Sequence, residues 1–201
     1  AKIQLRSVQS PWIHSETIPY HNLDEFFALS DSSETDWEHT VSWIDCMNGA
    51  NAKGLFARGN LSSEHTQVEP KIKDKTFPIT PPISLVNKLS LPIFNFAYFH
   101  GNSLKKQPQK VHYEPFFYPL DAMHEWNKMY GPKGFYQYQS VVPKEIGKEV
   151  TQEMLNAIKK SGEGSFLAVL KTFGDRESGG MLSFPKHGVT LALDFPNRGT
   201  K

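Results

Sequence analysis

The stretch Val189-Thr-Leu-Ala-Leu-Asp-Phe195 alternates apolar and polar or small residues without a break. A strand turns successive side chains to opposite faces, so Val189, Leu191, Leu193 and Phe195 share one face and Thr190, Ala192 and Asp194 the other. The first set must meet a core; the second is short and polar and faces water or a cavity. One apolar face and one polar face is the pattern of an antiparallel sheet rather than a parallel one covered on both sides.

The same reading extends upstream. Ser165 to Phe173 (SFLAVLKTF) is a predicted strand on which Lys171 shares a face with Leu167 and Val169. Phe135 to Val142 is another, with Gln137 and Gln139 on one face and Tyr136 and Tyr138 on the other. Between them Pro143 opens a predicted helix through Lys160, with Ile146, Val150, Met154, Leu155 and Ile158 on one side and Gly162 as its stop. Strands are also predicted at Ile3–Val8, Trp37–Asp45, Gly54–Leu61 and Val111–Tyr118. Asn22 caps a predicted helix carrying Leu23, Phe26, Phe27 and Leu29, and Leu91–His100 reads as a short helix after Pro92. Pro119 to Gly131 reads as a loop and short helix closed by its glycine. Residues 62–82 and 101–110 are polar loops. The fold class is therefore α+β: a mostly antiparallel sheet of about seven strands with helices packed on one face.

At 201 residues the chain fits one domain and is tight for two. Lys and Arg number 22 against 21 Asp and Glu, so the net charge gives no reason to expect a nucleic-acid or acidic-membrane partner. The single cysteine, Cys46, excludes a disulfide framework and a Cys-based zinc site within one chain. No apolar run approaches the roughly 18 residues that span a bilayer. The opening Ala-Lys-Ile-Gln-Leu-Arg lacks the apolar stretch of a secretory signal, which points to the cytoplasm or to a targeting segment cut away, a periplasmic protein included.

The eight histidines form neither H-x-H nor H-E-x-x-H, the glycines form no phosphate-cradling loop, and no G-x-S-x-G elbow is present. No metal site is expected. Lys171 remains the residue with two readings. A lysine on an apolar strand face costs desolvation unless its ammonium finds a partner. Either it sits near a strand end and snorkels to solvent, or it belongs to a pocket wall of short and amide side chains suited to a polar ligand. The paired glutamines are open in the same way.

The runs Phe117-Tyr-Pro-Leu-Asp121, Glu125-Trp-Asn127, Tyr130-Gly-Pro132 and Gly134-Phe-Tyr-Gln-Tyr-Gln139 resemble the decaprenylphosphoryl-β-D-ribose 2-oxidase family of FAD-linked oxidoreductases. The likeness continues through Ser161-Gly162, Ser165-Phe-Leu167, Lys171, Phe173-Gly174, Leu182-Ser-Phe-Pro185 and Asp194-Phe-Pro196, and includes Ser42-Trp-Ile-Asp45 and Arg58-Gly59 upstream. The family is part of the vanillyl-alcohol-oxidase-like flavoproteins. The resemblance implies that residues 1–201 are a single substrate-binding (cap) domain, with the FAD-binding domain and a C-terminal segment elsewhere in a longer protein.

It further implies that Trp43, Phe117, Gln137, Gln139, Leu167, Val169, Lys171, Thr190 and Ala192 line the substrate side of the flavin ring, with Lys171 in the catalytic role. The implied cofactor is FAD, held mainly by the other domain and not expected in this chain alone. The implied partners are that FAD domain and a sugar or polyol-type alcohol. The family's mycobacterial member has cysteine at the position of Ala192, asparagine at Thr190 and tyrosine at Phe117, so the ribose-lipid substrate does not carry over with the frame. Two other readings stay open: flavin-dependent reduction of a carbon–carbon double bond, and a stand-alone binding module without flavin.

Overall fold

A computed structural model describes residues 4–64, 75–105, 107–177 and 179–199. Its strands are β1 (Trp12–Tyr20), β2 (His39–Ile44), β3 (Gly54–Leu61), β4 (Lys75–Thr76), β5 (Gln109–His112), β6 (Met123–His124), β7 (Phe135–Pro143), β8 (Val169–Phe173) and β9 (Gly188–Pro196). The α-helices are α1 (Leu23–Ser33), α2 (Ser90–Ser103), α3 (Tyr113–Phe117) and α4 (Gly147–Ser161). Seven strands form one sheet in the order β5-β1-β3-β2-β8-β9-β7, every neighbouring pair antiparallel. The short β4 and β6 pair in parallel apart from it.

The apolar set of β9 meets a core as expected. Leu191 and Leu193 pack with Leu170, Ile44, Phe56 and Tyr20 beneath Leu23 and Phe26 of α1 and Leu155 of α4. Asn22 caps α1 by accepting from the Glu25 amide at 2.9 Å. Gly162, at φ 68°, ends α4 in the left-handed conformation that residues with a Cβ resist. Gly147 lets α4 approach β9, because a Cβ there would collide with Val189. Lys144, in the turn before α4, pairs with Asp31 of α1 at 3.2 Å and with Glu34 at its end at 3.1 Å.

Helices also touch the other face. Trp43 points away from the α1/α4 core, and its ring meets Tyr98 of α2 with centroids 4.9 Å apart. A second, smaller core there gathers Val86, Leu91, Tyr130 and Phe166, joined by Phe135, Trp126 and Leu167.

Several segments differ from the sequence reading. Pro143, expected to open a helix, ends β7, and α4 begins at Gly147; the loop expected at 101–110 holds the end of α2 and the start of β5. Residues Gln4–Val8 form no strand and lie exposed. β1 itself escapes the sequence pattern: Pro19 interrupts it, and His14 to Thr17 are polar on both faces. The strand expected at Val111–Tyr118 stops at His112 and turns into α3, where Pro115 falls in the first turn and its missing N–H costs no helical bond. The strand expected from Ser165 enters the sheet only at Val169; upstream, the Ser165 hydroxyl accepts from the amides of Leu167 and Asp194, both at 3.1 Å. Of the loop at 62–82, residues 65–74 lie outside the described residues, as does Lys106 in the loop at 101–110.

Candidate functional site on the open sheet face

The ladder register decides which predicted residues meet. Gln139 stands opposite Ala192 and Gln137 opposite Asp194 in the β7–β9 pair. Lys171 stands opposite Thr190 and Val169 opposite Ala192 in the β8–β9 pair, and Trp43 stands opposite Val169 in the β2–β8 pair. These pairings place Trp43, Gln137, Gln139, Val169, Lys171, Thr190 and Ala192 on one contiguous face, the one away from α1 and α4.

Within that face, Gln139 donates from Nε2 to the Thr190 hydroxyl at 3.0 Å. Thr190 is fully buried, so the polar set of β9 does not face water: Thr190 is floor beneath its neighbours. Asp194 is buried too; its carboxyl is pushed above the usual range by burial, against which a hydrogen bond from Gln137 acts. Trp43 donates from Nε1 to the Phe166 carbonyl at 2.9 Å, which locks the indole against Tyr98. Leu167 sits just before β8 and packs into the smaller core with Phe166.

Lys171 is partly buried in mid-sheet rather than at a fraying end, and makes no hydrogen bond or ion pair among the described residues. Burial holds its ammonium below the usual lysine range. Such a group is under-satisfied and can gain from an incoming oxygen acceptor. Phe117 is not brought to it by any ring contact. Its ring meets His39 edge-on at 4.8 Å, beside Phe116.

His39 and Tyr98 were not singled out from the sequence. His39 lies on the strand face of Trp43 by period two, a signal present in the alternation of β2. Burial lowers its pKa, Arg6 and Arg176 acting in the same direction and Glu38 against it. Tyr98 comes to Trp43 only through the placement of α2, which no local pattern discloses.

Among the described residues no group of three His, Cys, Asp or Glu could hold a metal ion. A concavity of about 580 Å³ opens elsewhere, at the ends of β2 and β8 between Trp37–Thr40 and Thr172–Arg176. It includes none of the residues of the Lys171 face and mixes Glu34, Asp36 and Asp175 with Lys144 and Arg176.

The chain is thus an α+β sheet with α1 and α4 on one face and, on the other, two amides, a locked indole and a lysine without a partner among the described residues. No family model matches the chain. Over 209 aligned residues it is 31% identical to decaprenylphosphoryl-beta-D-ribose oxidase of Mycolicibacterium smegmatis, an alignment that takes in 98% of this chain and 45% of the oxidase. The chain is a homologue of that part of the oxidase and spans just under half its length. A crystal structure of a hydrolase from Listeria innocua covers 94% of this chain and 89% of its own at 8% identity and a TM-score of 0.23, too slight a likeness to carry an argument.

Proposed function

We propose that this chain forms the substrate-facing side of an FAD-dependent oxidoreductase acting on a sugar or polyol-type alcohol. The observation that carries the reading is the unpaired, partly buried Lys171 on a face with Trp43, Gln137 and Gln139. The homologous oxidase supports the reaction class.

The residues suit one side of a flat polar ring rather than the whole cofactor. The face offers an ammonium, amides and an indole, while no glycine-rich phosphate loop stands in the sequence. FAD, when bound, supplies the two-electron acceptor. The chain's own groups then do three things. Lys171 donates a hydrogen bond to the substrate oxygen and stabilises negative charge developing there, an interaction strengthened by partial desolvation. Gln137 and Gln139 offer amide groups to neighbouring hydroxyls, with Thr190 fixing the orientation of Gln139. Trp43 and Tyr98 give an apolar wall that excludes water beside the reacting carbon.

The test uses the full-length protein. Anaerobic addition of sugar or polyol alcohols is expected to bleach the flavin, and Lys171→Ala to lower kcat about 100-fold or more with little change in Tm. An unchanged kcat with a lowered Tm would make Lys171 structural. Bleaching by NADPH but by no alcohol would favour double-bond reduction. In this reading the isolated 201-residue chain is colourless, and stoichiometric flavin absorbance in it would refute the division of labour.

A further inference from the structure

Helix α2 is apolar nearly all round, with Leu91, Ile93, Phe94, Phe96, Tyr98 and Phe99 spread about its axis. Yet it takes one orientation, in which Leu91, Asn95 and Phe99 are buried while Ile93 and Phe96 stay 72% and 61% exposed. Apolar burial has no direction, and a turn about the axis would bury other rings in their place. What distinguishes the observed orientation is the polar member of its buried stripe.

Asn95 is fully buried, and its Nδ2 donates to Asp45 Oδ1 at 2.6 Å. Asp45 follows β2 directly and stands two residues beyond Trp43. Its carboxylate is otherwise held by amides: the Met47 N–H donates to Oδ1 at 3.2 Å and Asn48 Nδ2 to Oδ2 at 2.7 Å. A carboxylate only accepts, so the Asn95 amide has one permitted orientation, which leaves its own Oδ1 buried without a hydrogen-bond partner among the described residues. An asparagine with an unmatched buried acceptor is a poor device for stability and a good one for register, the use a single buried asparagine has between packed helices.

We propose that Asn95 is a positioning residue: its bond to Asp45 fixes the rotation of α2 and so seats Tyr98 on Trp43 in the wall of the Lys171 face. Tyr98 lies three residues on and Phe94 one residue back, so a helix turned about its axis carries both rings away together. Phe94 stacks on Tyr98 at 5.6 Å and meets Phe166 edge-on at 5.5 Å, while the Trp43 indole donates to the Phe166 carbonyl. The wall is thus a closed group of rings, and Asn95 clamps the helix that supplies Phe94 and Tyr98 to the strand end that supplies Trp43. The consequence for catalysis rests on the alcohol oxidation proposed above.

The experiment compares Asn95→Leu with the exchanged pair Asn95→Asp/Asp45→Asn, which restores the bond with donor and acceptor reversed. In the 201-residue chain, Trp43 emission is taken as the difference from the matching Trp43→Phe protein, and circular dichroism and Tm record the fold. Asn95→Leu is expected to shift that emission to longer wavelength as the indole loses Tyr98, and the exchanged pair to return it. In the full-length protein, with xylitol and methyl β-D-glucopyranoside as probes, Asn95→Leu is expected to raise KM at least about 10-fold with kcat within about 2-fold, because a wall that holds ground and transition states alike acts on KM. The exchanged pair is expected to restore KM. Should Asn95→Leu fail to fold, Asn95→Asp alone, which sets two carboxylates face to face, takes its place. Unchanged Trp43 emission in the folded variant overturns the proposal. So does an unchanged KM, an exchanged pair that leaves emission or KM altered, or loss of fold in both single variants, which would make the contact a general stabiliser. A full-length protein that oxidises neither probe counts against the reaction instead; the shift of Trp43 emission and its recovery decide the role of Asn95 on their own.

Discussion

Gln139 reaches across the β7–β9 ladder to the Thr190 hydroxyl at 3.0 Å, while Lys171 faces the same threonine from β8. The threonine thus has one flank hydrogen-bonded by an amide and the other beside an ammonium with no partner among the described residues. This asymmetry is costly for folding and useful for binding. An unfolded lysine titrates at 10.5, and burial lowers Lys171 below that. Between the folded value and 10.5 the unfolded chain holds more protons, so the stability governed by Lys171 rises with pH across that window. Below it, the desolvated charge is a constant penalty. Lys171→Met is expected to stabilise the chain at pH 7 by up to about 1 kcal/mol, roughly 2–4 °C in Tm, with the gain shrinking as pH approaches 10.5. Destabilisation at pH 7 in thermal melts would mean that the ammonium already has a partner.

The start of α1 is held by a closed set of bonds: Asn22 accepts from the Glu25 amide at 2.9 Å and donates to its carboxylate at 3.0 Å, while the His21 amide donates to that carboxylate at 2.8 Å. Asn22→Ala removes the cap and should cost about 1 kcal/mol, read as a lower urea midpoint at unchanged m-value. An unchanged midpoint would show that packing of Phe26 alone fixes the helix entry.

How much of this was legible in the sequence follows from which signals are local. β9 was readable because its alternation runs unbroken from Val189 to Phe195, and the end of α4 because Gly162 is a local conformational requirement. The strand pattern at Ile3–Val8 misled: its described residues, Gln4–Val8, lie exposed and join no sheet, so alternation alone does not make a strand. For the site, period two sorted Gln137, Gln139, Lys171, Thr190 and Ala192 correctly by face. It could not show that Thr190 is floor rather than lining, which depends on Gln139 lying over it. Nor could it show Tyr98 against Trp43, which depends on where α2 docks.

The buried hydroxyl of Tyr20 lies 2.7 Å from that of Ser42, a strand-to-strand link inside the main core. Burial raises the phenol far above its ordinary range, so it stays neutral under all ordinary conditions. Tyr20→Phe leaves Ser42 with the Trp43 carbonyl at 3.1 Å and should cost about 1 kcal/mol, roughly 2–4 °C in Tm. Gly54→Ala should cost more, about 1–3 kcal/mol, since its Cβ would run into the Tyr20 ring end and the Trp43 carbonyl, and backbone yields less readily than side chain. A Gly54→Ala melt equal to that of the unaltered chain would contradict the close passage of β3 over Tyr20.

Cys46 is fully buried and exchanges two bonds with the Ser165 backbone, its Sγ donating to the carbonyl and accepting from the amide, each at 3.4 Å. Burial is the main cause that pushes the thiol up to about 11, with the backbone bonds from Ser165 opposing and the Asp45 charge adding to it. A buried thiol of raised pKa has little thiolate at pH 8 and no path for a reagent. The folded chain is expected to leave a disulfide reagent such as DTNB unreacted at pH 8 and to release one equivalent of thiolate on unfolding. Because the folded pKa is above the unfolded value of 9.0, the stability from a neutral Cys46 is complete below pH 9 and declines as pH rises through about 11. Cys46→Ala should flatten that part of the alkaline limb while leaving its remainder to Tyr20 and the other buried phenols. Rapid reaction of the native chain with DTNB at pH 8 would show that the segment joining β2 to the Cys46–Asn51 turn opens away from Ser165, and with it the edge of the Trp43 wall.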